Sequence, residues 1–328
     1  MNYKPILIVL GEPYSVFSEL LFKFYKLKKN KKIKNHIILV GSLDLMQRQM
    51  KKLNYRFSFN LINKKEIYHQ ALSKNSINII NVNFNFKKPF DNISNKSKKY
   101  ISNSFETALD LLEKKQFSGL INGPISKKHY LGGKYPGITE YLSRKTSRKN
   151  QSTMIIYNKK FSVVPLTTHI PIKNVAKNIS KIKIIRKAMQ VKKFFKKAFN
   201  KNPKIAILGL NPHCENFENV SEEKKYIIPA INYLKNKKIN VSGPFSADTF
   251  FLEKNIKKYD LAIGMYHDQV LTPIKTMYNF DAINLTIGLP FLRISPDHGP
   301  NNEMAGKNKS NPDSLFSAIN FFKNINEI

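Results

Sequence analysis

Short apolar runs alternate with longer amphipathic stretches along this chain of 328 residues. A strand buried on both faces gives a continuous apolar run, and the helix that follows it gives apolar residues at helical spacing. The alternation predicts a mostly parallel sheet covered by helices. The predicted strands are PILIVLG, HIILVGS, SGLINGP, FSVVPLTT, KIAILGLN, LAIGMY and AINLTIG, with a further strand just before Asp248.

Helical spacing of apolar residues is clear in residues 16–24 and 105–112. Ser221 is followed by two glutamates, and an N-cap with acids in the first turn predicts the start of another helix. The closing segment SLFSAINFFKNI predicts a C-terminal helix. Residues 84–103 are polar and broken by a proline, so we expect a long loop there.

Composition narrows the functional classes. The net charge of +34 is typical of a nucleic-acid partner, but only six of the 56 basic residues are arginines and the lysines spread over the whole chain. Without an RNP-like signature or zinc-finger spacing, a solvated lysine surface is favoured.

No apolar run approaches the roughly 18 residues of a membrane span, and ILIVL at the N-terminus is typical of a strand rather than a signal peptide. With one cysteine, Cys214, the chain is expected to be cytoplasmic and to lack an internal disulfide.

Three histidines each follow a predicted strand: His169, His213 and His267. If those strands are parallel neighbours, their carboxyl ends lie along one edge of the sheet, where open α/β folds bind ligands. Three imidazoles at that edge could form the open site of a catalytic divalent metal. One such histidine alone is more often a loop residue bonded to a carbonyl, but three equivalent positions favour the metal site.

Further polar residues suggest an anionic ligand. Arg293 lies in an apolar segment, so its guanidinium needs an anionic partner, either a ligand phosphate or carboxylate or an internal acid. Lys275 and Asn284 precede it in the chain, and Asp248 follows a predicted strand. Neither the dinucleotide-binding glycine fingerprint nor the P-loop is present, so a nucleotide would need another loop geometry.

Seven segments together resemble the 4-hydroxythreonine-4-phosphate dehydrogenase family of pyridoxal phosphate biosynthesis. They are GLINGPISKKHY, PGITEYLS, VVPLTTHIP, ILGLNPH, GPFSADTFF, MYHDQVLTPIK and NLTIGLPFLRISPDHG. The resemblance implies a two-lobed α/β/α fold similar to the isocitrate and isopropylmalate dehydrogenases, with the active site in the cleft between the lobes. Those enzymes bind NAD without the glycine fingerprint. We expect residues 1–122 and 276–328 in one lobe, and residues 123–275, with the metal histidines, in the other.

The resemblance also implies the site. In the family, the residues that match His169, His213 and His267 bind a divalent metal (zinc, magnesium or cobalt), and the homodimer shares that site between its subunits. The positions that match the family's substrate contacts are Thr139, Lys275, Asn284 and Arg293. Asp248 and Lys275 are the candidates for proton transfer, and Asp248 is also a candidate for orienting the metal site.

The implied reaction is the NAD-dependent oxidation of 4-phosphohydroxy-L-threonine to 2-amino-3-oxo-4-phosphonooxybutanoate. That β-keto acid loses carbon dioxide to give 3-amino-2-oxopropyl phosphate, a precursor in pyridoxine 5'-phosphate biosynthesis. This chain departs from the family at Ile138, where the family has a histidine. A metal-dependent dehydrogenase of another phosphorylated hydroxy acid is therefore one alternative. A lysine-rich nucleic-acid-binding protein on a degenerate enzyme fold is the other.

Overall fold

The computed structural model describes residues 3–28, 33, 35–67, 69–146, 152–214, 221–278, 282–296, 299–323 and 325. The chain divides into two compact units. The first consists of Met1–Thr146 and Leu289–Ile325, and the second consists of Ser147–Gly288 and Asn326–Ile328. The lobes expected from the sequence, with boundaries after residues 122 and 275, differ from these units in residues 123–146, 276–288 and 326–328. The extent of the lobes stays a prediction.

The first unit contains a parallel sheet. Its strands are β1 Ile6–Val9, β2 Ile37–Gly41, β3 Phe59–Leu61, β4 Ile77–Asn81, β5 Gly119–Asn122 and β12 Arg293–Pro296. Their order across the sheet is β3-β4-β2-β1-β5-β12, and the pairs are parallel. Every residue of β1 is buried, as expected for a central strand of a sheet covered on both faces.

The helices of the first unit are α1 Phe17–Lys28, α2 Leu43–Lys52, α3 Lys98–Glu113, α4 Ile138–Lys145 and α10 Asp313–Lys323. The predicted long loop at residues 84–103 is wrong from residue 98 onward, because α3 begins there. Its exposed face is polar, whereas Tyr100, Ile101, Ser104 and Phe105 are buried. The polar face concealed the helical spacing in the sequence.

The second unit contains a mixed sheet. Its strands are β6 Thr153–Tyr157, β7 Ser162–Pro165, β8 Ile205–Leu208, β9 Val241–Phe245, β10 Leu261–Gly264 and β11 Ile283–Ile287. Their order is β11-β6-β7-β10-β8-β9. β6 is antiparallel to both of its neighbours, whereas β7, β10, β8 and β9 are parallel to one another.

The helices of the second unit are α5 Lys181–Phe199, α6 Ile228–Asn236, α7 Ala247–Phe250, α8 Glu253–Ile256 and α9 His267–Tyr278. A core of Met154, Phe161, Val163, Leu208 and Phe250 is among the residues buried here. All seven strands named from the sequence are present, so the predicted arrangement of strands and helices is confirmed. In the described ranges, no helix combines the length and apolar character that crossing a bilayer would require.

Candidate functional site

Four parallel strands of the second unit end at one edge of its sheet. Each is followed by one of the candidate residues: His169 after β7, His267 after β10, His213 after β8 and Asp248 after β9. The expectation that the strands before the three histidines are parallel neighbours is therefore confirmed. Ligands of open α/β sheets bind at this edge, beyond the carboxyl ends of the strands.

His169 and His267 form the first pair at this edge. Their ring centroids are 5.8 Å apart, and the rings are inclined by 43°. Both line a cavity of about 220 Å³, together with Thr168, Tyr266 and Asp268. Nδ1 of His267 lies 2.6 Å from a carboxylate oxygen of Asp268. Because a carboxylate only accepts, Nδ1 carries the proton, and Nε2 is left as the nitrogen that can bind a ligand.

The separation of these two rings fits a shared metal ion. A ligating imidazole nitrogen lies about 2.1 Å from a zinc ion, so the centroids of two rings on one ion are about 5 to 6 Å apart. The observed 5.8 Å lies in that range. The ring spacing of the pair is therefore compatible with two ligands of one ion.

His213 and Asp248 form the second pair. Nδ1 of His213 lies 3.8 Å from Oδ2 of Asp248, a distance too long for a hydrogen bond but within the reach of an ion pair. The other oxygen of Asp248 accepts from the hydroxyl of Ser246 at 2.7 Å and from the N–H of Thr249 at 2.8 Å. The hydrogen bond from Ser246 lowers the pKa of Asp248 below its usual value. Asp248 is therefore ionised at neutral pH.

The backbone at His213 is strained. His213 and Cys214 have φ angles of 54° and 57°, in the left-handed region that non-glycine residues rarely adopt. Such conformations persist only where the surroundings hold them, and they occur often at functional sites. Lys115, Lys238 and four other described non-glycine residues adopt the same region, so the angle describes the loop at His213 and does not by itself assign a function to it.

Glu223 holds the loop that carries His213. Its buried carboxylate accepts the N–H groups of Leu210 and Asn211 at 2.7 and 2.9 Å, and the side-chain amide of Asn211 at 2.7 Å. Burial opposes ionisation of Glu223, but these hydrogen bonds outweigh it, so its pKa lies below the usual value. The sequence suggested a helix start for this segment, and the hydroxyl of Ser221 does accept the N–H of Lys224. The anchoring role of Glu223 was missed, because its partners depend on the tertiary fold.

Among the described residues, no group of three or more His, Cys, Asp or Glu side chains is arranged to hold a metal ion. The structure brings His169 close to His267, and it brings His213 close to Asp248. Three imidazoles and a carboxylate along one edge are a donor set that suits a divalent cation. The three-histidine metal site stays a prediction.

Arg293, on β12 of the first unit, is only 1% exposed. Its Nε donates to Oδ1 of Asn122, at the end of β5, over 2.6 Å. Burial lowers the pKa of Arg293 to about 10, and the nearby carboxylate of Glu140 opposes that shift. The guanidinium therefore remains charged at neutral pH. The sequence left open an internal acid as the partner of Arg293. The structure gives a hydrogen bond to the amide of Asn122 and a nearby acid, Glu140. The role of Arg293 as a substrate contact stays a prediction.

The other predicted substrate contacts lie on three elements. Thr139 is nearly buried in the first turn of α4, and Ile138 before it packs against the apolar core of the first unit. Lys275 is exposed on α9, the helix that begins at His267. Asn284 lies on β11, and its buried Oδ1 has no hydrogen-bond partner within the described ranges.

Glu12, which follows β1, is a buried acid that the sequence did not single out. It is 2% exposed, and neither carboxylate oxygen makes a well-formed hydrogen bond within the described part of the chain. Burial raises the pKa of Glu12 to about 7, although Ser97 and the N–H of Ser126 lie near enough to oppose the shift. Its neighbours in the chain, Gly11 and Pro13, give no signal in the sequence that Glu12 is buried.

Comparison with known proteins identifies the family. Residues 33–322 match the family described as "Pyridoxal phosphate biosynthetic protein PdxA". A relative from Sulfurihydrogenibium sp. (strain YO3AOP1), named 4-hydroxythreonine-4-phosphate dehydrogenase, is 37% identical over 95% of this chain and 95% of its own. The resemblance drawn from the motifs is therefore confirmed.

Solved structures support the same conclusion. The crystal structure of 4-hydroxythreonine-4-phosphate dehydrogenase from Klebsiella pneumoniae matches with a TM-score of 0.84 and 25% identity, over 98% of both chains. Isocitrate dehydrogenase from Methylococcus capsulatus matches with a TM-score of 0.50 and 9% identity, over 97% of this chain and 84% of that one, which is a likeness of fold alone. The predicted fold class is confirmed. The chain is an oxidoreductase that belongs to the PdxA family of pyridoxal phosphate biosynthetic proteins.

Proposed function

We propose that this chain oxidises the secondary hydroxyl of 4-phosphohydroxy-L-threonine by hydride transfer to NAD. The product, 2-amino-3-oxo-4-phosphonooxybutanoate, has its new ketone in the β position to its carboxylate, so it loses carbon dioxide to give 3-amino-2-oxopropyl phosphate. The name of the 37% identical relative supports this substrate, because that relative matches nearly the whole chain. The reaction would serve pyridoxine 5'-phosphate biosynthesis.

The observation that carries the proposal is the row of candidate ligands at the strand ends of the second unit. His169, His213 and His267 would hold a divalent metal, either zinc, magnesium or cobalt, through ring nitrogens. Once bound, the metal would supply a Lewis acid that lowers the pKa of the substrate's hydroxyl.

Two residues are proposed for proton transfer. Asp248 is ionised at neutral pH, so it can accept a proton from the substrate or orient His213, but it cannot donate one. Lys275 lies on the same helix as His267, so it is the candidate donor to the carbon that loses carbon dioxide.

Four residues are proposed to bind the substrate. Arg293 keeps its charge despite its burial, which suits a phosphate or carboxylate, and Lys275 adds a second positive charge. The unpartnered oxygen of Asn284 supports a contact with a donor such as the substrate's ammonium or hydroxyl group. Thr139 would contribute its hydroxyl.

We also propose that the active unit is a homodimer with a shared metal site and that it works in the cytoplasm. The support for both is the resemblance to the family. Sedimentation combined with assays over a range of dilution tests the first point. Activity should fall as the protein dissociates, and a stable monomer with full activity would contradict it.

An NADH-formation assay on 4-phosphohydroxy-L-threonine tests the function as a whole. We expect NADH to accumulate, chelator to stop the reaction, and added zinc, magnesium or cobalt to restore it. Absence of turnover under all these conditions would contradict the proposal.

The alternative substrate class, another phosphorylated hydroxy acid, is favoured by a single observation. Ile138 offers apolar surface where the family has a histidine, so a polar contact to the substrate is lost. Turnover of a different phosphorylated hydroxy acid, without turnover of 4-phosphohydroxy-L-threonine, would favour this alternative.

A further inference from the structure

Helix α5 concentrates positive charge. Eight of its 19 residues are lysine or arginine, and none is acidic. α3, with 16 residues, has two lysines and three acids, so the lysine-rich composition of the chain does not by itself produce a helix like α5. Exposed helices usually carry charges of both signs. α5 therefore differs from the dispersed lysines of the remaining surface.

The exposed face of α5 combines these charges with apolar side chains. Steps of three and four residues align six exposed residues in one stripe: Ile182, Arg186, Met189, Lys193, Lys196 and Lys197. With a rise of 1.5 Å per residue, the stripe is about 22 Å long. Ile182 is 73% exposed and Met189 is 48% exposed. The stripe thus presents two large apolar side chains among four positive charges.

Tyr233 of α6 extends this surface. Its side chain is exposed, and the ammonium groups of Lys181 and Lys237 each lie 5.9 Å from the centre of its ring. α6 packs against α5 and also lacks acidic residues. Tyrosine is common where an apolar surface meets water, because its ring is apolar and its hydroxyl is polar. We call the stripe, together with Lys181, Tyr233 and Lys237, the basic face.

The basic face lies opposite to α9, the helix that begins at His267. The connections β7-α5-β8 and β8-α6-β9 cross the sheet in one direction, whereas those from β9 to β10 and from β10 to β11 cross it in the other. Connections between parallel strands are right-handed, which places the two sets of helices on opposite faces of the sheet. A partner of the basic face therefore contacts the second unit on the side away from α9.

We propose that the basic face binds the surface of a membrane that contains anionic lipids. The lysines and Arg186 contact the lipid phosphates, while Ile182 and Met189 enter the boundary between head groups and acyl chains. Basic residues beside apolar ones are typical of helices that lie on a membrane. Each lysine near an anionic leaflet strengthens binding about fivefold. The inference depends neither on the metal nor on the substrate.

The exposed apolar side chains favour lipid over nucleic acid as the partner. The backbone of a nucleic acid offers phosphates, which attract lysine and arginine but gain nothing from Ile182 or Met189. Proteins that bind single strands stack successive bases on several aromatic rings, whereas Tyr233 is the one aromatic member of the basic face. A lipid boundary removes apolar surface from water and also supplies phosphates.

Cosedimentation of the full chain with lipid vesicles tests the proposal. The vesicles consist of phosphatidylcholine alone or of equal parts phosphatidylcholine and phosphatidylglycerol. We expect binding to the mixed vesicles only, and weaker binding as the salt concentration rises. The triple variant Lys193→Gln, Lys196→Gln and Lys197→Gln should bind about 100-fold more weakly. Arginine at the same three positions keeps the charge, so it should preserve binding.

The apolar residues provide the test that separates lipid from other anions. Ile182→Ser combined with Met189→Ser leaves the charge unchanged, and we expect it to bind the mixed vesicles about tenfold more weakly. The same variant should bind a double-stranded DNA fragment as the parent does, because phosphates do not contact the apolar side chains. Thermal unfolding of every variant should match that of the parent, since all the substituted side chains are exposed.

The first unit provides matched controls. Lys51→Gln, Lys52→Gln and Lys99→Gln together remove three exposed lysines from α2 and α3. Leu27→Ser combined with Leu61→Ser removes two apolar side chains that are 45% and 54% exposed. We expect both control variants to bind the mixed vesicles as the parent does.

Absence of binding to the mixed vesicles would overturn the proposal. Equal losses in the α5 variants and the control variants would also overturn it, because they would indicate adsorption through the net charge of +34. Unchanged vesicle binding after substitution of Ile182 and Met189 would overturn it as well. DNA binding that depends on the three lysines of α5 would then assign the basic face to nucleic acid.

Discussion

The two units place ionisable side chains beside their strands in opposite environments. In the second unit, the side chains of His213 and Asp248 are 65% and 56% exposed. In the first unit, Arg293 and Glu12 are 1% and 2% exposed. An exposed group stays hydrated and remains accessible to a ligand, whereas a buried group must be satisfied by the protein or must change its protonation.

Substitutions in the two environments are therefore expected to change different measured properties. Substitutions at the exposed edge should alter binding and turnover, with effects on stability within about 0.5 kcal/mol, as is usual for surface positions. Substitutions of the buried charges should alter stability and its dependence on pH. The following predictions test that division, beginning with the largest expected effect.

Alanine at His169, His213 or His267 should reduce both bound metal and turnover. Because each substitution removes a direct ligand, we expect a loss at least as large as the roughly 10- to 100-fold found for outer contacts of metal sites. Metal content by elemental analysis and NADH formation are the two measurements. The free energy of unfolding of the metal-free protein should barely change.

His69→Ala is the matched control for these variants. His69 is an exposed histidine of the first unit, in a turn rather than beyond a strand of the second unit. We expect its substitution to leave metal content and turnover as they were. Unchanged metal content in all three strand-end variants would show that the exposed edge is not a metal site.

Glu12→Gln should make the protein more stable above neutral pH. Burial raises the pKa of Glu12 from its usual 4.5 to about 7, so the folded state holds the proton more tightly than the unfolded state. The free energy of unfolding therefore contains a contribution from protonated Glu12. This contribution is fully present below pH 4.5 and is lost as the pH rises to about 7, and the loss amounts to about 3 kcal/mol. Urea unfolding at pH 4 and pH 8 should show similar stabilities at pH 4 and a gain of up to that amount for the variant at pH 8.

Glu19→Gln is the control, and it should behave in the opposite way. Glu19 is also fully buried, but its carboxylate accepts the N–H groups of Asn308 and Ser310, the hydroxyl of Ser310, and a bond from Lys23. An amide replaces one acceptor oxygen with a donor, so we expect a loss of stability at pH 8. If Glu12→Gln also loses stability at pH 8, the ionised carboxylate of Glu12 must be stabilised by hydrogen bonds in the folded protein, which would contradict the prediction.

Arg293→Lys separates a structural role from a substrate contact. Lysine keeps the charge but loses the planar fork and the bond from Nε to Asn122, a loss of about 1.5 to 3 kcal/mol for a charged hydrogen bond. We expect lower stability and a KM for substrate raised about tenfold, the equivalent of 1.4 kcal/mol. Lower stability with unchanged kinetics would assign Arg293 to the fold alone.

Ile138→His should produce the smallest of these effects. A histidine can donate a hydrogen bond to an anionic substrate, which is worth about 1.5 to 3 kcal/mol, but Lys127 or Lys128 could already compensate in this chain. We expect a lower KM for 4-phosphohydroxy-L-threonine with kcat within a fewfold, since the contact forms in the ground state and the transition state alike. If the parent turns this substrate over well and Ile138→His loses activity, the substrate pocket of this chain is adapted to isoleucine at position 138.

Most of the fold was predictable because buried strands leave an apolar signature in the sequence. β1, β2 and β10 are continuous apolar runs, and their burial confirms that reading. β6 was not among the predicted strands, and its antiparallel direction was not predictable either, since an apolar run carries no information about strand direction. The start of α3 was missed because only one face of its first turns is apolar.

The candidate site was predictable only in part. The positions of the histidines after strands are visible in the sequence, and they sufficed to place His169 and His267 at one edge. The supporting residues were not visible, because their partners are distant in the chain: Gln269 bonds to Gly209, 60 residues away. Burial of Glu12 likewise depends on tertiary packing rather than on the sequence around it.

The most direct test of the metal site is an anomalous difference map from crystals grown with zinc, with X-ray data collected at the absorption edge of zinc. A three-histidine site predicts one strong peak within about 2.1 Å of a ring nitrogen of each of His169, His213 and His267. A peak that contacts His169 and His267 while His213 stays paired with Asp248 would contradict the three-histidine site. The absence of a peak at these strand ends would contradict it as well.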